Sequence, residues 1–230
     1  MMKRWRRLPL LWARSETMPS LKRLLAVVLF LHATLAAAQV GKLMPIDEAA
    51  RNPEFFSFRA HLQAAVARHD TEAVLAAVDP KIRTSFGDGG GIEEFRKMWK
   101  LPSADSPLWD ELGTVLAFGG AFKEGSRFAA PYVYERWPEP FGSFEHVAVL
   151  GTNVRVRSEP GPKGKILTAL SFDIVKLAAP AKDSEWTRIK LRDGRTGFIS
   201  SQYVRSPADY RALFNKIDGR WRMTAFVVGD

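Results

Sequence analysis

Asn153-Val154-Arg155-Val156-Arg157-Ser158-Glu159-Pro160, taken with Trp186-Thr187-Arg188-Ile189-Lys190-Leu191, Asp193-Gly194 and Gly197-Phe198-Ile199, is the stretch of sequence on which the fold turns. Apolar and polar residues alternate through it, the period of a strand with one face buried. Val154 with Val156, Ile174 with Val175, Ile189 with Leu191 and Phe198 with Ile199 are the expected contributors to one small core. Strand-length runs fall at 146–150, 153–157, 165–170, 173–178, 186–191 and 196–200, and Asp193-Gly194 between the last two has the residues of a tight hairpin turn. Short strands at regular spacing predict a small all-β barrel.

Upstream the texture is helical. Residues 56–67 place Phe58, Leu62, Ala65 and Val66 on one helical face. His69-Asp70-Thr71 breaks that helix, Asp70 or Thr71 can cap a second over 72–78, and Asp79-Pro80 is expected to end it. Residues 81–86 suit a short strand, and Gly87-Asp88-Gly89-Gly90-Gly91 is a turn into a helix over 92–99. The segment 109–118, with Trp109, Leu112, Val115 and Leu116, fits a helix or a buried strand, whereas 127–137 reads as aromatic strand and turn. Downstream, 210–217 and 220–228 flank Asp218-Gly219, a second hairpin signal. A lone hairpin is marginally stable in water, so this one needs a larger sheet to join.

The 230 residues allow one large domain or two small ones, and 46% hydrophobic with 26% charged residues is the composition of a folded chain. Absence of cysteine excludes disulfides, thiolate zinc sites, cysteine nucleophiles and a lipoprotein anchor. The formal charge of +9 is misleading, because seven bases and one acid stand within residues 1–38. Without them twenty-seven bases face twenty-four acids, a net of about +3. So small a balance gives no steering field, and no nucleic-acid partner is expected.

Residues 1–38 have the layout of a secretory signal. Lys22 and Arg23 precede an apolar run over 24–31, and small residues lead to an expected cleavage after Ala38, with Met18 as an alternative start. The competing reading is an uncleaved anchor, but 24–38 is 15 residues interrupted by His32 and Thr34, against the ~20 that a span requires. Arg6-Arg7 lies too far ahead of the apolar run for a twin-arginine signal. The mature chain is therefore expected to be periplasmic or secreted, with no membrane span.

The region 147–204 resembles the bacterial SH3 (SH3b) family. The resemblance rests on Asn153 to Pro160 as the opening strand and loop, 164–170 as the second strand, 173–177 as the third, Trp186 to Leu191, the Asp193-Gly194 turn, Gly197-Phe198-Ile199 and the closing Tyr203. It implies binding rather than chemistry, commonly to cell-wall material. The aromatic set of a polyproline groove is missing from this sequence. The flanking segments, 58–99 and the hairpin 214–223 with Asp218-Gly219-Arg220-Trp221, resemble the NTF2-like α+β cone. Together these predict an α+β chain: a leader over 1–38, a helix-plus-sheet domain over 45–145 completed by the hairpin 206–230, and an SH3-like barrel over 146–205 inserted in it.

No catalytic pattern stands out. His61 and His69 are eight apart, H-E-x-x-H is absent, the Gly87 to Gly91 run lacks the Lys-Ser/Thr of a phosphate loop, and there is no G-x-S-x-G elbow. Asp79, Asp88, Glu93 and Glu94 are explained by helix ends. A non-enzymatic protein with neither metal nor cofactor is expected, its partner cell-wall material or an envelope protein. The candidate ligand-binding residues are Arg157, Trp186 and Tyr203 in the SH3b-like region, and Tyr132, Tyr134 and Trp137 beside Arg127 and Arg136. Core or seam packing is the competing role for these aromatics, Trp186 included. The alternative function is an NTF2-like pocket that binds or converts a small molecule, with the SH3b-like region as a targeting module.

Overall fold

Asn52 and Pro53 open the first helix, α1 (Pro53–Ala67): the Asn52 side chain accepts from the Phe55 N–H at 3.0 Å, and proline fills a first-turn position that needs no donor. The computed structural model describes residues 41–87, 89–123, 127–179 and 185–229, so the predicted leader over 1–38 lies outside the described residues. His69, at φ +54, turns the chain out of α1. Asp70 then caps α2 (Thr71–Ala77) by accepting from the Ala73 N–H at 3.0 Å.

Asp79-Pro80 does not end this helix, as the sequence suggests, but lies inside β1 (Val78–Arg83). Proline is tolerated there because β1 is an edge strand. Its pairing with the last strand slips between Val78↔Met223 and Arg83↔Ala225, so the Asp79-Pro80 segment bulges out of the ladder. The helices α3 (Ile92–Met98) and α4 (Leu108–Ala117) follow, which settles 109–118 as helix. Residues 127–137 differ from the aromatic strand and turn expected of them. After β2 (Ala121–Lys123), β3 (Arg127–Ala130) stops before Pro131, and Tyr132–Glu135 coil into one helical turn, α5. Proline there removes a ladder donor, so the strand cannot continue.

The remaining strands are β4 (His146–Val149), β5 (Val154–Arg157), β6 (Ile166–Leu170), β7 (Ile174–Leu177), β8 (Trp186–Lys190), β9 (Thr196–Ser200), β10 (Val204–Arg205), β11 (Arg211–Ile217) and β12 (Arg220–Val227). They form a mixed α+β fold with two sheets. The first has the order β1-β12-β11-β3-β2, parallel only between β1 and β12. The closing hairpin β11–β12 is thus central to the first sheet, its Asp218-Gly219 turn at φ +46 and +75. The second sheet is antiparallel with the order β10-β4-β7-β8-β9-β5-β6, which runs open from β10 to β6 instead of closing into a ring of paired strands.

The first sheet and α1 to α4 enclose an aromatic core in which Phe55 packs on Phe128 at 4.3 Å and on Trp221 at 4.9 Å between ring centroids. The second sheet buries Val154, Val156, Ile189 and Ile199. A third cluster, Leu43, Tyr132, Val133, Ala148 and Ile174, sits where the two sheets meet. Residues 41–48 tie the sheets together: the Leu43 N–H donates to Phe172 O at 2.8 Å in the second, and the Glu48 N–H donates to Gly120 O at 2.9 Å beside the first.

Candidate functional site

The inward faces of β5, β8 and β9 are buried, so alternation sends their other side chains to solvent. The register sets these outward residues in rows. Arg188 stands opposite Phe198, and Phe198 opposite Arg157, which in turn faces Ile166 on β6. Trp186 stands opposite Ser200 and Lys190 opposite Thr196. Arg155, two residues from Arg157 on the same strand face, pairs with Ala169. Arg155, Arg188 and Lys190 are exposed, whereas Trp186, Phe198 and Arg157 are partly buried among them. The Arg157 guanidinium donates to Gly164 O at 2.8 Å, which holds it against the β5–β6 loop. Tyr203 follows β9 in the turn Ser201–Tyr203 and is 46% exposed.

This face depends on a close approach beneath it. Gly197 packs so tightly that a Cβ there would lie 2.5 Å from the Val156 Cγ1. Only glycine lets β9 settle over β5, and that contact carries Phe198 outward between the arginines.

Tyr132 and Trp137 belong to the seam cluster between the sheets, and Tyr134, on the same helical turn as Tyr132, packs on Arg211 at the start of β11. Tyr132 is only 2% exposed, its hydroxyl meets no protein hydrogen-bond partner, and burial pushes its phenol above the ordinary value of 10.0. The Tyr134 ring carries the Arg211 guanidinium at 4.6 Å, and Phe86 lies 4.8 Å from the same group. Trp137 donates from Nε1 to Phe141 O at 2.7 Å and packs on the seam cluster. Arg127 and Arg136, expected to serve these rings, pair with carboxylates instead: Arg127 with Glu135 at 3.3 Å and Arg136 with Glu48 at 2.8 Å. The six candidate residues are therefore not one site: three are on the outward face or its rim, two in the seam, and Tyr134 is against Arg211.

Glu48 is the charged hub of that seam. Its carboxylate accepts from the Phe122 N–H at 2.9 Å and pairs with Arg136 at 2.8 Å and Arg51 at 3.1 Å. Burial works to raise its pKa, but the Phe122 and Arg136 hydrogen bonds and the Arg136 and Arg51 charges outweigh that and hold it below 4.5. Beside it Asp47 grips the buried Arg59 through both oxygens, at 2.8 and 2.6 Å.

The space enclosed by the first sheet is filled by Phe55, Phe95, Phe128, Phe214, Phe226 and Met223. Surface grooves lie outside this core. One, of about 470 Å³, runs between α1, α2 and the β11–β12 turn, with Glu54, His61 and Arg220 among apolar walls of Phe58, Ala77 and Trp221. Glu54 there is ion-paired with Lys216 at 2.5 Å. Another, of about 400 Å³, is lined by Ile46, Asp47, Phe118, Tyr132 and Leu150 at the seam. His69 stacks flat on Trp109 at 5.0 Å, and among the described residues no group of three His, Cys, Asp or Glu is placed to hold a metal ion. Glu94, read from sequence as a helix-opening acid, accepts from Thr84 Oγ1 at 2.6 Å and from the Gly90 N–H at 2.9 Å, closing the loop before α3.

Sequence reasoning missed Arg155, Arg188, Lys190 and Phe198 as neighbours of Arg157 and Trp186. The signal was present in the parity of β5 and β8, where every second residue is basic. It also missed Glu48, whose partners Phe122 and Arg136 lie tens of residues away in the chain, and Arg211, which is as far from Tyr134.

No family model matches the chain, and no curated protein matches it. Among solved structures, the chain is similar to an NTF-2 like protein of unknown function from Shewanella oneidensis MR-1, with 14% identity and a TM-score of 0.29, over 77% of this chain and 97% of that one. That likeness is too slight to carry an argument. Among the described residues no helix is long and apolar enough to cross a membrane.

Proposed function

We propose that this is an exported, periplasmic or secreted, non-enzymatic binding protein whose second sheet is an SH3b-type module that associates with cell-envelope material, peptidoglycan or a protein partner. The observation that carries the reading is the outward face of β5, β8 and β9, where cations and half-buried aromatics share one open surface. Such a face is suited to an extended partner that lies across several strands. Of the landmark residues, Val154, Val156, Val175, Ile189, Leu191 and Ile199 are in the second core, which supports the module assignment, whereas Phe198 and Trp186 face outward and Ile174 joins the third cluster. The first sheet and its helices, filled by aromatics, act in this reading as a rigid NTF2-like mount. The leader over 1–38 supplies the export step.

Co-sedimentation of the full chain with purified peptidoglycan sacculi tests the proposal. The protein is expected in the pellet, and its complete retention in the supernatant would overturn the wall-binding form.

A second reading, small-molecule binding by the first domain, draws on the groove that holds Glu54 and His61. The filled interior and the Glu54–Lys216 pair favour the first. Saturable binding of a small molecule that His61→Ala abolishes would reverse that preference.

A further inference from the structure

The charge of the chain is unevenly placed. Residues 146–205 hold eleven lysines and arginines against five acids, so the excess of bases in the mature chain belongs to the second sheet. The rest of the mature chain is slightly acidic, which is why the overall balance hides the asymmetry. Within that region the bases concentrate again: β5, β6, β8 and β9 contain no acidic residue. Arg155, Arg188 and Lys190 make no ion pair with another described residue, in contrast to Arg59, Arg136, Arg195 and Arg205 elsewhere.

We infer that this face binds an anionic glycan, a sugar polymer that carries carboxylate or phosphate groups; the inference rests on the envelope-binding reading above and specifies its ligand chemistry. Arg155 and Arg157 on β5 and Arg188 and Lys190 on β8 form two lines of cations separated by β9. With neighbouring strands about 4.8 Å apart, the lines stand roughly 10 Å from one another. Between them, on β9, lie Phe198 and the hydroxyl residues Thr196 and Ser200, and Trp186 stands at the end of the β8 line, opposite Ser200. Anionic groups of the polymer meet the two cation lines, sugar ring faces rest on the apolar strip, and sugar hydroxyls reach Thr196 and Ser200. Cations in two lines on either side of β9 suit a chain passing across the strands. Arg157 contributes from a fixed position, because Gly164 O already holds its guanidinium.

The test uses the full chain and fluorescently labelled polygalacturonate, with dextran, polyglutamate and single-stranded DNA as comparison polymers. Polygalacturonate is expected to bind and to be released by about 0.5 M salt, where charges are screened within a few ångströms. Dextran, which lacks the charge, is expected not to bind. Arg155→Ser with Arg188→Ser is expected to weaken polygalacturonate binding at least about tenfold, as two charge-assisted contacts are lost. Lys81→Ser with Lys97→Ser removes the same charge from exposed sites outside the second sheet and is expected to leave binding unchanged. Equal loss in both double variants would overturn the site. Binding of polyglutamate or DNA as tight as that of polygalacturonate would overturn the sugar specificity. Sacculi separate this inference from the reading beneath it. If Arg155→Ser with Arg188→Ser sediments like the parent, the face is wrong and envelope association stands. If the parent binds polygalacturonate and ignores sacculi, the face stands and envelope association falls.

Discussion

Replacing Gly197 with alanine tests the packing that presents the outward face. The added methyl would sit 2.5 Å from the Val156 Cγ1, 3.2 Å from Arg157 O and 3.4 Å from the Leu167 Cδ1. The first distance is far inside carbon–carbon contact, so β9 must lift or Val156 must leave its rotamer, and overpacking of this kind costs about 1–3 kcal/mol. Val156 is fully buried, so Val156→Ala alone is also destabilising, by about 2 kcal/mol through lost burial and a residual cavity. Together the two changes are complementary: truncating Val156 removes the atom that the new methyl meets. The double variant is therefore expected to be no less stable than Val156→Ala alone, a non-additive result of about 1–3 kcal/mol in a double-mutant cycle. Urea unfolding followed by tryptophan fluorescence reads all four proteins. A Gly197→Ala variant as stable as the parent, or a cycle in which the two losses simply add, would refute the contact between β9 and β5.

Other changes probe the seam and the first sheet. Glu48→Gln is expected to destabilise the chain by about 1–3 kcal/mol at pH 7, since a charge-assisted partner of Arg136 and Arg51 is lost. The folded pKa of Glu48 is depressed, so its contribution is full above 4.5 and fades as pH falls through the folded value; a parent-to-variant difference that stays constant down to pH 2 would contradict this. Gly120→Ala would place a Cβ 2.2 Å from Ala129 O at the β2–β3 pairing, and a melting temperature within about 2 °C of the parent would refute that close approach. Tyr132→Phe removes a buried hydroxyl that has no protein partner and is expected to leave stability unchanged or raise it by about 1 kcal/mol. The raised phenol pKa adds stability that is complete below pH 10 and lost as pH climbs through the folded value, so the variant should resist alkaline unfolding better than the parent.

In the second sheet β5, β8 and β9 are legible because each is short, alternating and next to turn residues, whereas β4 and β7 bury consecutive residues and show only by length, and the two residues of β10 give no signal. Asp193-Gly194 and Asp218-Gly219 marked both hairpins, and both glycines take the positive φ that such turns require. Asp79-Pro80 misled, because a helix-stopping pair and an edge-strand bulge present the same two residues, and only the neighbour β12 decides between them. Tyr132 to Glu135 were read as extended for a related reason: aromatic residues favour strands on average, and one helical turn after Pro131 is a tertiary choice. The seam aromatics Tyr132 and Trp137 and the residues of the outward face and its rim look alike in a sequence. What separates them is whether another layer covers them, and that depends on contacts of Leu43, Glu48 and Ala148 made across the chain.

The same blindness explains the charge. A net of about +3 argues against any steering field only when charge is spread evenly, and a chain built of two sheets gives no reason to expect that. The insertion of 146–205 between α5 and β11 separates the two balances physically, a basic sheet beside a slightly acidic mount. The mount also fixes the sheet's attitude, since Arg205, at the end of β10, donates to Tyr210 O at 2.7 Å and pairs with Glu111 on α4 at 3.4 Å. A basic residue of the second sheet is thus used to anchor it to the first, and it is buried and paired. Arg155, Arg188 and Lys190 are of the same chemical type, exposed and without an ion pair to another described residue. Alternation alone places these cations on the solvent side of their strands; what the inferred anionic partner accounts for is that β5, β6, β8 and β9 set no acidic residue among them.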